Sequence, residues 1–466
     1  MGSPAEGVGR ASLSRLLRAS LSRLLPIMGP KVSSPCRPFA DARREASRWW
    51  GRSKLLLRRN KLLLGTKNVM TPDPISLLKE LVAIPSVNPM GENGPEAGTA
   101  EAWLTDFLEQ WFRKVGLPCQ RQTAEPGREN IVARLDGRPL PDQGGRLILL
   151  AAHQDTVPVT GMTIPPFTPT ERDGRLFGRG ACDVKGGMAA MLTAVARLAE
   201  KRPPRCPTVL MACTANEENG FSGAQALLGA WEGTARFVPR KPDAAVVAEP
   251  TSLQVVVAHK GLVRWRLHTH GKAAHSSRPE AGDNAIFKMA RVLGAIERYQ
   301  KEVVASRGRH PLCGPATISV GTIRGGVSVN TVPDRCSIEI DRRLAPGETP
   351  EEAYRHLVEY LASQAGLDSS IKHDPPYMQG PPLSDKANGP LAARLAAAAR
   401  GVVGTCSTIG VPYATDGAFF AQAAIATVVF GPGSISQAHT ADEWVAIEEV
   451  RQAAEIYYRF LVAAGE

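Results

Sequence analysis

Four short apolar runs constrain this chain more than any other feature. Leu147–Ala152, Val209–Cys213, Ala244–Ala248 and Ile425–Phe430 are almost unbroken stretches of five or six residues. They are too short for buried helices and too continuous for half-exposed strands, so they read as strands buried on both faces. Helical spacing separates the first two, from Gly187-Met188-Ala189 to about Ala199. Upstream, one helical pattern runs from about Asp73 to near Pro85-Ser86-Val87-Asn88-Pro89. A second runs from Ala100 to about Val115 and is closed by Gly116 and Pro118. Strands alternating with helices predict an α/β core around a mostly parallel sheet.

The middle of the chain follows a different rule. Arg264–His270, Thr317–Ile323 and Cys336–Asp341 alternate, as half-exposed strands do, and Asn284 to about Val303 and Glu351 to about Ala365 read as helices. Strand, helix, strands, helix predicts an α+β unit, with helices on one face of an antiparallel sheet. The expected organisation is a catalytic domain of residues 70–257 and 373–466, with an inserted unit at 258–372. No internal repeat is present.

Charge excludes a partner class once it is located. The chain carries 56 Lys and Arg against 45 Asp and Glu, a net charge of +11. Residues 1–69 hold 15 basic and 3 acidic side chains, which leaves 41 and 42 for the rest, a net of −1. The body therefore has no electrostatic case for nucleic acid. The basic segment lacks a secretory apolar stretch and has the composition of an organelle transit peptide, a disordered tail or translated upstream sequence. The reading favoured is a body that starts at Met70. No run reaches the length of a membrane span. The eight cysteines show no CxxC spacing and several lie among apolar neighbours, as reduced thiols of a cytoplasmic protein do.

Chemistry collects where the buried runs end. They are followed by His153-Gln154-Asp155, by Asn216-Glu217-Glu218, by Glu249 and, through Gly431-Pro432-Gly433, by His439. Open α/β sheets bind ligands outside the carboxyl ends of their strands. Asp183 joins this set from the glycine-rich turn Gly178–Gly187, just before a helix. Singly, each residue is ordinary: a strand-end histidine, a solvated Glu pair, an Asp that caps a helix. The glycine turn lacks the GxxxxGK[ST] spacing of a phosphate loop. Together they place unpaired carboxylates at buried strand ends, where a metal is the usual compensation.

His153, Asp183, Glu218, Glu249 and His439 make five candidate ligands. If one carboxylate bridges two ions, each ion receives three protein ligands and keeps an open position, the pattern of a catalytic site. Imidazole and carboxylate without thiolate suits zinc, with cobalt or manganese as alternatives. Glu217, next to a ligand and left over, fits a general base acting on water. Asp155, two residues after His153, is placed to hydrogen-bond that imidazole and set its tautomer.

The motifs HQDTVP, GRGACDVKGG, ANEENG, AEPTSL, HGKAAHSS, GGVSVNTVP and GPGSISQAH resemble the M20 family of metallopeptidases and deacylases over about residues 72–464. The resemblance implies a zinc-peptidase-like catalytic domain with an inserted lid and dimerisation domain, and a dizinc site with Asp183 bridging. One ion would be held by His153 and Glu249, the other by Glu218 and His439. It also implies a homodimer, an oxyanion-stabilising role for His275 from the neighbouring subunit, and substrate α-carboxylate binding by Asn330 and Arg343. Within the family, the strings around Glu249, His259, His275 and His439 are most similar to acetylornithine deacetylase. Asp416 stands where that branch carries Glu, and His259 where the desuccinylase branch carries Arg. The implied reaction converts N-acetylornithine to ornithine and acetate, a step of arginine biosynthesis. The alternatives are succinyl-diaminopimelate desuccinylase, an aminoacylase or an M20 peptidase. A non-catalytic binding protein would require a lost ligand or base, and none is missing.

Overall fold

The four apolar runs lie side by side. In the computed structural model, Thr208–Thr214, Leu147–His153, Ala244–Val247 and Ala426–Val429 are consecutive parallel neighbours in an eight-stranded sheet. Residues 71–90, 101–229, 237–307, 309–367 and 371–465 are described. The basic segment 1–69 and the proposed start at Met70 lie outside the described residues.

Strand periodicity divides the interior into two cores. Ile148, Leu150 and Ala152 face one apolar cluster, whereas Leu147, Leu149 and Ala151 face the other. Side chains alternate across a strand, so a run buried on both faces needs a helical layer on each side. Gly186–Lys201, Gly389–Val403 and Ile447–Gly465 contribute to the first layer, and Ser222–Gly229 and Gly417–Gln422 to the second.

The sheet has the expected parallel centre and is mixed toward its edges, where antiparallel pairing enters on both sides. Cys119–Glu125 and Arg128–Leu135 pair antiparallel beside Thr208–Thr214. Only Pro126 and Gly127 separate these two strands, and so tight a connection permits only antiparallel pairing. On the far side, Val255–His259 meets Ala426–Val429 antiparallel and pairs parallel with Thr408–Val411.

Two helix starts are set by side-chain caps. Asp73 accepts a hydrogen bond from Ser76 N–H at 2.9 Å and opens Pro74–Val82. Asn284 accepts from Ile286 and Phe287 N–H and opens Ala285–Arg298. The second expected helix spans Ala102–Lys114.

The middle of the chain forms a five-stranded antiparallel sheet. Its order is Thr317–Gly325, Arg335–Leu344, Gly261–His270 and Ile371–His373, with Met378–Gly380 also on Gly261–His270. Helices Ala285–Arg298 and Pro350–Ser363 cover one face over Trp265, Leu267, Ile338 and Ile340. Sheet pairing reaches residue 380, past the expected boundary at 372. No helix among the described residues is long and apolar enough to cross a membrane.

Candidate active site

The carboxyl ends of the central parallel strands converge on one cluster. His153 is the last residue of its strand. Glu217 and Glu218 follow Thr208–Thr214, and Glu249 lies two residues beyond Ala244–Val247. Asp183 comes from the turn Ala181–Lys185, whose Asp183–Val184 peptide is cis. Asp183 does not cap the next helix. That helix begins at Gly186, and its N-cap, Lys185, makes no side-chain cap bond. Gly187 permits the helix to pack this closely: a Cβ there would come 2.9 Å from Ala248 Cβ, beside Glu249.

Asp183 lies between two imidazoles. Its Oδ1 is 3.1 Å from His153 Nε2, and its Oδ2 is 3.3 Å from His439 Nε2. Glu218 Oε1 is 3.2 Å from the same His439 nitrogen. Ligand atoms of His153, Asp183 and Glu218 all lie within 4.8 Å of one another. Two ligand atoms about 2.0–2.1 Å from a tetrahedral ion stand about 3.3 Å apart, so these spacings suit direct coordination. Glu249 is buried, and its Oε1 has no hydrogen-bond partner. A buried carboxylate oxygen without a donor calls for a cation.

Charge points the same way, since four carboxylates (Asp183, Glu217, Glu218 and Glu249) face two imidazoles. Burial, then the Glu249 charge, pushes the Glu217 carboxyl well above its ordinary range. Burial, then Asp183, does the same to Glu249. Burial also raises Glu218, although His439 opposes it. Burial alone would raise Asp183, but His153 and His439 outweigh it and hold its carboxyl below the usual range. Burial alone would lower His439, yet Asp183 and Glu218 lift it to about 10. The cluster therefore favours a cation, and His153, Asp183 and Glu218 lie close enough together to share one.

Asp155 hydrogen-bonds the His153 imidazole through its backbone and not through its carboxylate. Its carboxylate Oδ1 is 3.6 Å from His153 Nδ1, too long for a hydrogen bond. The backbone carbonyl of Asp155 lies 2.9 Å from that nitrogen and accepts its proton. The carboxylate instead accepts Glu217 N–H at 3.1 Å, Glu218 N–H at 3.0 Å and Asn88 Nδ2 at 2.7 Å. Beneath it, Arg128 makes a buried two-pronged pair with Glu101, which also accepts Asn216 N–H. Residue spacing could not reveal these contacts, because they depend on which way the turn after the strand directs its amides.

The middle sheet carries the other candidates. Ala274–His275 pairs with Thr331–Val332, and Asn330 C=O accepts Ser276 N–H at 3.0 Å, so His275 and Asn330 are neighbours. Arg343 is not free. Its Nε donates to Asp341 Oδ1 at 2.7 Å, and Arg264 donates to Asp341 Oδ2 at 2.7 Å. Two guanidiniums on one carboxylate leave one positive charge uncompensated. Among the described residues, no hydrogen bond joins His275, Asn330 or Arg343 to the cluster of His153, Asp183, Glu218, Glu249 and His439.

Residues 149–463 match the peptidase family M20/M25/M40. The chain belongs to that family. It is a hydrolase with the family's fold, an α/β catalytic domain carrying an inserted α+β unit. Solved structures of low identity share this fold. An M20 family metallo-carboxypeptidase from Sulfolobus solfataricus is 20% identical, with TM-score 0.67, covering 84% of this chain and 99% of that one. A tripeptidase from Staphylococcus aureus is 21% identical, with TM-score 0.66 and coverage of 86% and 100%. The Bacillus subtilis YXEP protein, a dinuclear metal-binding peptidase of the M20 family, is 16% identical, with TM-score 0.58 and coverage of 84% and 97%.

Proposed function

We propose that this M20 hydrolase cleaves the amide bond of an N-acyl amino acid at a two-metal centre, with N-acetylornithine as the leading substrate. The observation that carries the reading is Asp183, whose two oxygens each face a different imidazole. His153 and Glu249 would hold one ion, Glu218 and His439 the other, and Asp183 both. Zinc suits this donor set, with cobalt or manganese as alternatives. Bound ions would polarise the acyl carbonyl and make water acidic enough to react near neutral pH. The dinuclear centre of the YXEP protein supports the ion count.

Glu217 takes a proton from water as the water oxygen bonds to the acyl carbon. It returns that proton to the amine nitrogen as the C–N bond breaks, and the second water proton, left on the new carboxylic acid, passes to the amine, which yields a carboxylate and an ammonium. Its burial suits the role, because a carboxylate with few competing partners accepts a proton readily. Asp155 holds the backbone of Glu217 and Glu218 together, so base and ligand keep one spacing.

His275 would stabilise the tetrahedral oxyanion across a homodimer interface, and Asn330 and Arg343 would bind the α-carboxylate. The edge strand Thr317–Gly325 supports the dimer. Its outer edge is unpaired among the described residues, and Phe287, Ile323, Val327 and Val329 are exposed around it. Residues 258–372 would form this lid. A cytoplasmic location is supported by seven free cysteines among the described residues.

A small-peptide substrate is the second reading, favoured by the tripeptidase and carboxypeptidase neighbours. Product analysis on N-acyl amino acids, N-succinyl-diaminopimelate and di- and tripeptides separates the two. Ornithine and acetate from acetylornithine support the first reading, and turnover of peptides alone rejects it.

A further inference from the structure

The turn that presents Asp183 is held by one buried carboxylate, Glu443, which lies four residues beyond His439. Its Oε1 accepts Cys182 N–H at 2.9 Å and Asp183 N–H at 3.0 Å. Its Oε2 accepts Gly180 N–H at 3.1 Å and Arg179 Nη1 at 2.6 Å. Its backbone carbonyl accepts Gly178 N–H at 3.0 Å. One residue therefore binds five donors spread over Gly178–Asp183, and it is fully buried.

These contacts have a consequence for the cluster. Asp183 N–H is itself one of the donors, so Glu443 grips the residue whose two oxygens face His153 and His439. The short segment from His439 to Glu443 ties the element that carries His439 to the turn that carries Asp183. A carboxylate is required for this. With two donors on each oxygen, a glutamine amide would turn its N–H₂ against two N–H groups in either orientation.

We propose that Glu443 is a positioning residue that fixes the bridging carboxylate of Asp183 relative to His439 and thereby sets metal affinity. The proposal rests on the two-metal reading above. Groups that hold metal ligands in place typically change affinity by about 10–100-fold when altered.

The test is zinc titration of the full metal-free chain against a chromophoric chelator, comparing wild type with Glu443→Gln. The variant should bind zinc about 10–100-fold more weakly. Its rate should rise at correspondingly higher free zinc, with an unchanged KM once zinc saturates. A role confined to folding would instead lower the melting temperature and leave the zinc affinity of the folded protein alone. Wild-type zinc affinity in a folded Glu443→Gln chain overturns the proposal. If that chain does not fold, Arg179→Met decides, since it removes one of the four side-chain contacts and keeps three backbone donors. A loss of about tenfold in zinc affinity supports the proposal, and an unchanged affinity overturns it. Failure of the wild type itself to bind zinc would reject the two-metal reading, which is a different outcome.

Discussion

Asp155 accepts the backbone N–H of Glu217 at 3.1 Å, so the turn after one strand holds the turn that follows its neighbour in the sheet. Its other oxygen takes Glu218 N–H and Asn88 Nδ2. Asp155→Asn keeps the shape but turns an N–H₂ toward one of these donors. The expected result is a loss of about 10–100-fold in kcat, with KM changed far less. Steady-state kinetics at saturating metal would check this, and an unchanged kcat would reject the holding role.

Glu217 and Glu218 are adjacent, but only Glu218 pairs with His439. Glu217→Ala should therefore lower kcat by about 10²–10⁴-fold while metal content stays near wild type. Elemental analysis of the purified variant separates base from ligand. A parallel loss of metal would reassign Glu217 as a ligand.

His259 supplies a pH dependence of stability. It is fully buried, with Nδ1 donating to Lys260 C=O at 2.9 Å and Thr415 Oγ1 lying 3.0 Å from Nε2. Burial pushes its pKa down to about 4. Between about pH 6.5 and 4 the unfolded chain binds a proton that the fold refuses. Stability from this group is thus fully present above about pH 6.5 and is lost as pH falls toward 4, by on the order of 3 kcal/mol. His259→Gln cannot titrate and should flatten that part of the curve. Urea unfolding of metal-free protein at several pH values measures it, and identical slopes for both chains would contradict the assignment.

The dimer reading has its own test. A Glu217→Ala chain and a His275→Ala chain, each inactive alone, should complement when mixed. A heterodimer then has one site with both groups and one with neither, so about half of wild-type activity per heterodimer is expected. Verified heterodimers with no recovered activity would place His275 within its own chain's site or outside catalysis.

Much of the candidate site was legible because its residues lie at or just beyond the ends of apolar strands. His153, Glu218 and Glu249 follow continuous hydrophobic runs, and the sheet then brings neighbouring strand ends together. Glu443 was not legible. It is one acid in Thr440-Ala441-Asp442-Glu443-Trp444, and its meaning comes from donors about 260 residues away in sequence. The partners of the Asp155 carboxylate were not legible for a related reason: spacing gives proximity to His153 but not the path of the turn. In the fold, Cys119–Glu125 escaped notice because its residues are only partly buried or exposed, without an apolar run. The inserted sheet extends to Gly380 because Met378–Gly380, a three-residue strand with prolines on both sides, carries too little pattern to be recognised.

The central claim is metal-dependent amide hydrolysis at Asp183, His153, Glu218, Glu249 and His439. The most direct measurement is acetylornithine hydrolysis by the chelated full chain as zinc is returned stepwise, with bound metal counted at each point. The rate should be negligible without metal and complete at about two ions per chain. Full turnover by the metal-free protein would contradict it.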